Sequence, residues 1–313
     1  MRSALAAVVS FVLACRNDAD LHSAPAPPLP AGSPKLSSDA VPFGLYLLAL
    51  TWSPSFCCGH PGSDQCSRMD NSYAATHLTL HGLWPQYGDG EAKGREPYPS
   101  FCGSFAKCER GGEGCSPDPG AVPAEMRELG PGYVGNDRRS LAAHEWAKHG
   151  SCTGLAAPAY FEAALSAIKS LPEKATPKKL ADAIGGDLAL HELQSAFGIP
   201  VESVLLGCDD HCRLEQVGIC LGHDEGNRPT KPVACPSSTS RARYTNGCVT
   251  RRCERVAIPA AGRCELEPRD QRQRPHQRAC DRPGQGPVCT GDDSCKQQGY
   301  KRCARSGCCT SQP

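Results

Sequence analysis

The chain has 313 residues, 39 % of them hydrophobic, and carries 34 Lys and Arg against 33 Asp and Glu for a net charge of +1. That length holds one full domain with a substantial core, plus appendages. Its 21 Cys, 32 Gly and 28 Pro mark a loop-rich, crosslinked protein and argue against the reducing cytosol.

At the N-terminus, Arg2 precedes an apolar run from Ala4 to Ala14, the pattern of an export signal. The run ends in Val12-Leu13-Ala14-Cys15, which is similar to a bacterial lipobox. That reading places cleavage before Cys15 and a lipid anchor on its thiol; the alternative is an ordinary secretory signal that contains a cysteine. The run is too short to span a bilayer, and no later segment is apolar enough to do so. Removing or lipidating Cys15 leaves an even number of cysteines, compatible with complete pairing. Residues 16–42, rich in Ala, Pro and Ser, read as an extended tether.

Order is expected from Gly44 onward. Leu45 to Trp52 is a nearly continuous apolar run of strand length, and His77 to His81 is a second strand that delivers His81 at its end. Between Gly88 and Gly135 the residue types favour long loops. Asn136 or Asp137 is expected to cap a helix carrying Leu141 to His149, and another helix continues from Tyr160 to Leu171. Thr176 and Pro177 read as the cap and first residue of the next helix. Leu188 to Phe197 reads as one more, stopped by Gly198 and Pro200. Val201 to Leu206 and Arg213 to Leu221 are late strands. Strands and helices do not alternate regularly, which favours an α+β fold over a parallel wound sheet.

From about Tyr244 the composition changes, with cysteines at 253, 264, 280, 289, 295, 303, 308 and 309 and no apolar run able to build a core. Residues 249–313 therefore read as a small Cys-rich disulfide module or crosslinked tail. Residues 241–313 hold 15 Lys and Arg against 7 Asp and Glu, whereas the rest holds 19 against 26. A basic end attracts polyanions such as RNA or anionic lipid surfaces; the alternative is a solvated tail whose charge only aids solubility.

Two segments carry chemistry, Leu80-His81-Gly82-Leu83-Trp84-Pro85 and His144-Glu145-Trp146-Ala147-Lys148-His149-Gly150-Ser151-Cys152. Together they supply imidazoles, a carboxylate and an ammonium, which suffice for acid/base work on a phosphodiester. In a helix over 141–149, Glu145, Lys148 and His149 share one face. His144-Glu145 begins like the zinc-peptidase pattern, but Lys148 stands four residues after His144 and the second histidine five after it, off the shared face. No metal and no cofactor are expected.

In order and spacing, Leu48 to Cys57, His81 to Pro85 and His144 to Cys152 resemble the ribonuclease T2 family of acid, transferase-type endoribonucleases, over residues 43–248. The resemblance implies an α+β fold with a central antiparallel sheet and flanking helices. It also implies cleavage of single-stranded RNA through a 2′,3′-cyclic phosphate to 3′-phosphate ends. His149 would take the proton of the 2′-OH and His81 would protonate the leaving 5′-oxygen. Glu145 and Lys148 would stabilise the crowded transition state, and His144 would help to hold phosphate. Because the nucleophile is the 2′-OH, DNA is not a substrate. Trp84 is a candidate for stacking on a base, with Gln86 and Tyr87 as further base contacts.

By the same resemblance Cys102 pairs with Cys152, Cys208 with Cys248, and Cys220 with Cys235. Twelve cysteines in the body and eight in the tail can then be satisfied separately, which sets the boundary near residue 248; Cys57, Cys58, Cys66, Cys108, Cys115 and Cys212 are left open. The product is expected to be a monomer, resident in the periplasm, at the outer membrane or in the medium. Two competing readings are a non-catalytic RNA-binding or surface interaction protein on the same fold, and a metal-dependent hydrolase using His144 and His149.

Overall fold

The computed structural model describes residues 41–263 except 61, 64–65, 67–68, 70–71, 90, 92–95, 111–112, 119, 134–139 and 242–244, together with the backbone of three short strands near the C-terminus. The expected leader, Cys15 and nearly all of the tether lie outside the described residues.

The centre is an antiparallel sheet in the order β2-β1-β5-β4, with β6 paired to β5. Its strands are β1 (Leu45–Thr51), β2 (Thr79–Gln86), β4 (Val204–Cys208), β5 (Leu214–His223) and β6 (Pro229–Pro232). The unbroken apolar run of β1 is explained by its place between β2 and β5, where both of its faces are covered. One face of the sheet carries Tyr46, Leu48 and Leu50, packed in one cluster with Val217 and Ile219 and with Tyr160, Phe161, Ala164 and Ile168 of α4 (Ala157–Ser170). The opposite face buries Leu45, Leu47, Ala49, Trp84, Leu205 and Cys220. Full burial of each such large apolar side chain contributes about 1.5–3 kcal/mol.

The remaining helices are short: α1 (Ser53–Gly59), α2 (Met126–Leu129), α3 (Leu141–Lys148), α5 (Lys178–Asp182), α6 (Leu190–Ser195), α7 (Ser237–Arg241) and α8 (Gly247–Thr250). Helix α3 starts later than its expected cap. Ser140, in extended conformation, accepts the amide of Ala143 at 3.3 Å, so the cap is Ser140 and not Asn136 or Asp137. The second strand does not end at His81 but runs on through Gln86. Pro85 is tolerated inside it because β2 is an edge strand and a missing N–H on the outer side breaks no ladder.

Six disulfides join described residues: Cys57–Cys66, Cys102–Cys152, Cys108–Cys115, Cys208–Cys248, Cys212–Cys253 and Cys220–Cys235. Cys58 is also disulfide-bonded. The bridge from Cys212 to Cys253 crosses the boundary drawn at residue 248, so body and tail cysteines are not satisfied separately. Past that boundary, β7 (Arg255–Ala257) pairs with β3 (Asp187–Ala189), and the carbonyl of Pro259 accepts the indole N–H of the fully buried Trp52 at 2.9 Å. Asp187–Ala189 is thereby a strand, where a helix had been expected from Leu188. Farther on, β8 (Gln285–Val288), β10 (Cys308–Thr310) and β9 (Arg302–Cys303) form a separate antiparallel sheet in that order, with Cys309 opposite Cys303. Among the described residues no helix is long and apolar enough to cross a membrane.

Truncation after Cys248 removes the Cys212–Cys253 bridge, strand β7 and the carbonyl that accepts from Trp52, along with the strands farther on. It should lower the melting temperature by roughly 5–15 °C, whereas truncation after Arg263 should lower it by much less. Equal loss in the two truncations, measured by calorimetry, would place the stabilising contacts beyond Arg263.

Candidate active site

Strand β2 and helix α3 meet at Glu145. Its side chain has no exposed surface and lies directly against the backbone of β2, where a Cβ on Gly82 would overlap its carboxylate. Gly82 is therefore the opening through which the carboxylate reaches its partners. Glu145 Oε2 accepts the indole N–H of Trp84 at 2.6 Å, and Oε1 lies 3.5 Å from His81 Nε2, long for a hydrogen bond but close for an ion pair.

His81 owes its presentation to a register shift. Ala49 opposes Gly82 and Leu50 opposes Leu80, so His81 is the extra residue of a β-bulge. The Tyr133 hydroxyl donates to its carbonyl at 2.6 Å, and Thr51 Oγ1 lies 3.1 Å from Nδ1. The side chain is 24 % exposed. His149 follows α3 as its cap, its N–H donating to the Glu145 carbonyl at 3.1 Å. Its ring is buried and stacked on Trp84 with centroids 5.0 Å apart at 21°, and Nδ1 has no hydrogen-bond partner among the described residues. His144 lies on the exposed side, 6.4 Å from the His149 ring.

The helix face expected from the spacing is thus assembled: Glu145, Lys148 and His149 converge with His81 and His144. The structure does not leave Trp84 free to stack on a base. It is buried, one ring face is on His149, and its N–H is spent on Glu145. Gln86 is likewise unavailable as a base contact, because it is buried and its Oε1 accepts the Thr239 hydroxyl at 3.2 Å. Tyr98, which no motif singles out, lies at the site instead. Its ring is 5.6 Å from His149 and 5.4 Å from Lys148 Nζ, and it is partly exposed. The loop bearing it is pinned to the end of α3 by Cys102–Cys152, by the Phe101 amide on the Lys148 carbonyl at 3.0 Å, and by the Cys102 amide on Ser151 Oγ at 3.1 Å.

Electrostatically the pocket is short of negative charge. Burial, then the positive neighbours His144 and Lys148, hold the His81 imidazole down to about 4. Burial and the charges of Lys148, His144 and His81 hold His149 well below the usual imidazole range. His144 is lowered by desolvation and by Lys148. Burial raises Glu145 to about 8, outweighing the opposing pull of the Trp84 N–H and Lys148. The carboxyl alone does not offset so many basic groups. An anion placed among them would favour their protonated forms. Among the described residues, one group has donors close enough to hold a metal: His144, Glu145 and His149, with ligand atoms within 4.8 Å of one another.

The raised Glu145 fixes a sign. Its folded form holds a proton that its unfolded form releases, so its contribution to stability is full below about 4.5 and is lost as pH rises through about 8. Glu145→Gln has no such loss and can still accept from Trp84. The melting-temperature difference, variant minus parent, should widen as pH increases from 5 to 9; a constant or narrowing difference would contradict the raised carboxyl.

A model of the Ribonuclease T2 family matches residues 43–231. Among curated relatives, a ribonuclease of Aeromonas hydrophila is 38 % identical over 118 residues, which are 37 % of this chain and 41 % of that protein. Ribonuclease I of Escherichia coli strain K12 is 28 % identical over 214 residues, 60 % of this chain and 78 % of that protein. The chain thus spans about two fifths of the first relative's length and more than three quarters of the second's. Among solved structures, trichomaglin, described as an S-like ribonuclease, is 22 % identical with a TM-score of 0.44, covering 70 % of this chain and 99 % of its own.

Proposed function

Because the chain belongs to the ribonuclease T2 family, we propose that it is an exported endoribonuclease that cleaves single-stranded RNA by metal-independent transphosphorylation. The observation that carries this reading is the convergence of His81, His144, Lys148 and His149 around one buried carboxyl, a pocket in which burial first and neighbouring positive charge second depress the protonation of the imidazoles. A phosphodiester is the anion that such a pocket favours, and once bound it raises the imidazoles towards the pH at which they exchange protons.

In the first step His149 removes the proton of the ribose 2′-OH, the 2′-oxygen bonds to phosphorus, and the bond from phosphorus to the 5′-oxygen breaks. His81 gives its proton to that leaving oxygen. The 2′,3′-cyclic phosphate is then opened by water, which reverses the two proton roles and leaves a 3′-phosphate. Lys148 offsets the charge that gathers on the phosphoryl oxygens, Glu145 orients His81, and His144 at the mouth holds phosphate. Tyr98, beside His149 and Lys148, offers a face for a base. Export through the leader at Arg2 to Ala14, with Cys15 as a lipid attachment point, is consistent with a body crosslinked by disulfides.

The proximity of His144, Glu145 and His149 gives a metal-dependent hydrolase as the second reading. Incubating the oxidised protein with RNA in excess chelator and identifying the new termini separates the two. Undiminished cleavage with cyclic-phosphate and 3′-phosphate ends, no cleavage of an all-deoxy strand, and losses of roughly 10²–10⁴-fold in His81→Ala and His149→Ala are expected. Activity lost to chelator and restored by a divalent metal, or 5′-phosphate ends, would overturn transphosphorylation.

A further inference from the structure

The bulge that presents His81 leaves its ring in need of support. As the extra residue between the Ala49–Gly82 and Leu50–Leu80 pairs, His81 lacks a partner in the ladder. The Tyr133 hydroxyl holds its carbonyl but does not touch the ring. An imidazole turns in a broad, roughly two-fold well about χ2, and a half-turn puts Cδ2 in the place of Nδ1 and Cε1 in the place of Nε2. Two side chains face those nitrogens, Glu145 at Nε2 and Thr51 at Nδ1.

Thr51 is well placed to decide the orientation. It ends β1, paired with Thr79 of β2 on one side and Gln216 of β5 on the other. Its carbonyl accepts the Thr79 hydroxyl at 3.2 Å, and that hydroxyl is also 3.0 Å from the buried Ser53 hydroxyl. The backbone that carries Thr51 is therefore tied down on both edges, and its β-branched side chain has a restricted χ1.

We propose that Thr51 is a positioning residue for His81, its hydroxyl accepting from Nδ1–H so that the neutral ring presents a bare Nε2 towards Glu145 and the reacting phosphate, where it exchanges protons. A hydroxyl suits this place because it accepts without bringing a charge. When His81 gains its second proton at Nε2 and gives it to the leaving oxygen, Nδ1 stays the donor and the hydroxyl the acceptor, so the contact lasts through the proton cycle. A carboxylate at the same point would favour the charged ring, and an apolar side chain would let the ring turn over.

The kinetic part of this inference rests on the transphosphorylation reading; the contact itself does not. Thr51→Val and Thr51→Ser in the full oxidised chain, with melting curves to confirm folding, are compared for RNA cleavage and for the nitrogen resonances of the neutral His81 ring. In Thr51→Val, kcat should fall roughly tenfold or more with KM within about twofold, and Thr51→Ser should return to within about threefold of the parent. The parent ring should be the Nδ1–H tautomer and the Thr51→Val ring a mixture. An unchanged kcat in Thr51→Val, a Thr51→Ser no better than Thr51→Val, or identical tautomer populations in parent and Thr51→Val would overturn the proposal. A parent that cleaves no RNA would overturn the reaction instead, and the tautomer comparison would still decide whether Thr51 sets the ring.

Discussion

A carboxyl group with no access to solvent is the constraint on which the rest of the site depends. Glu145 sits at the joint of β2 and α3, where it costs desolvation energy that a glutamine would not. The local sequence is arranged to accept it. Gly82 leaves the space for its oxygens, Trp84 gives it an N–H, and the bulge at His81 turns an imidazole towards it. Removing any of these leaves a buried acid without its partner, so the short run from His81 to Trp84 is best understood as the seat of a side chain more than sixty residues away.

Around that seat the basic groups repel one another. His81, His144 and His149 are each lowered, by burial and by neighbouring positive charge. Burial is the larger cause, so the imidazoles favour their neutral forms in the free pocket, and an anion bound beside them would favour the protonated ones. In the proposed reaction, substrate binding and acid/base readiness would become one event, since the entering phosphodiester would also be the charge that raises the histidines.

Much of this was legible in the chain itself, for physical reasons that differ from element to element. β1 is readable because a strand covered on both faces needs an unbroken apolar run. The face of Glu145, Lys148 and His149 follows from helical spacing alone. The role of Trp84 was misjudged, because a tryptophan beside a histidine looks available for stacking until the distant carboxylate that claims its N–H is placed. Tyr98 carries no motif, since it stands in an irregular loop, and Thr51 lies within the run from Leu48 to Cys57 without anything in that run to mark its hydroxyl. The boundary near residue 248 failed because cysteine counts fix parity and not connectivity, and the three-residue strand at Asp187 is defined by a partner from beyond that boundary. Edge position, invisible locally, is what let β2 continue through Pro85.

The most direct test of the central claim is a histidine titration by nuclear magnetic resonance, with and without a 2′-deoxy dinucleotide that can bind but cannot be cleaved. In the free protein the His81 ring should titrate far below 6.5, near 4, and binding of the phosphodiester should raise both His81 and His149 by more than about one unit. Imidazoles that titrate near 6.5 in the free protein, or that do not move when the dinucleotide binds, would contradict an anion-seeking pocket built around Glu145.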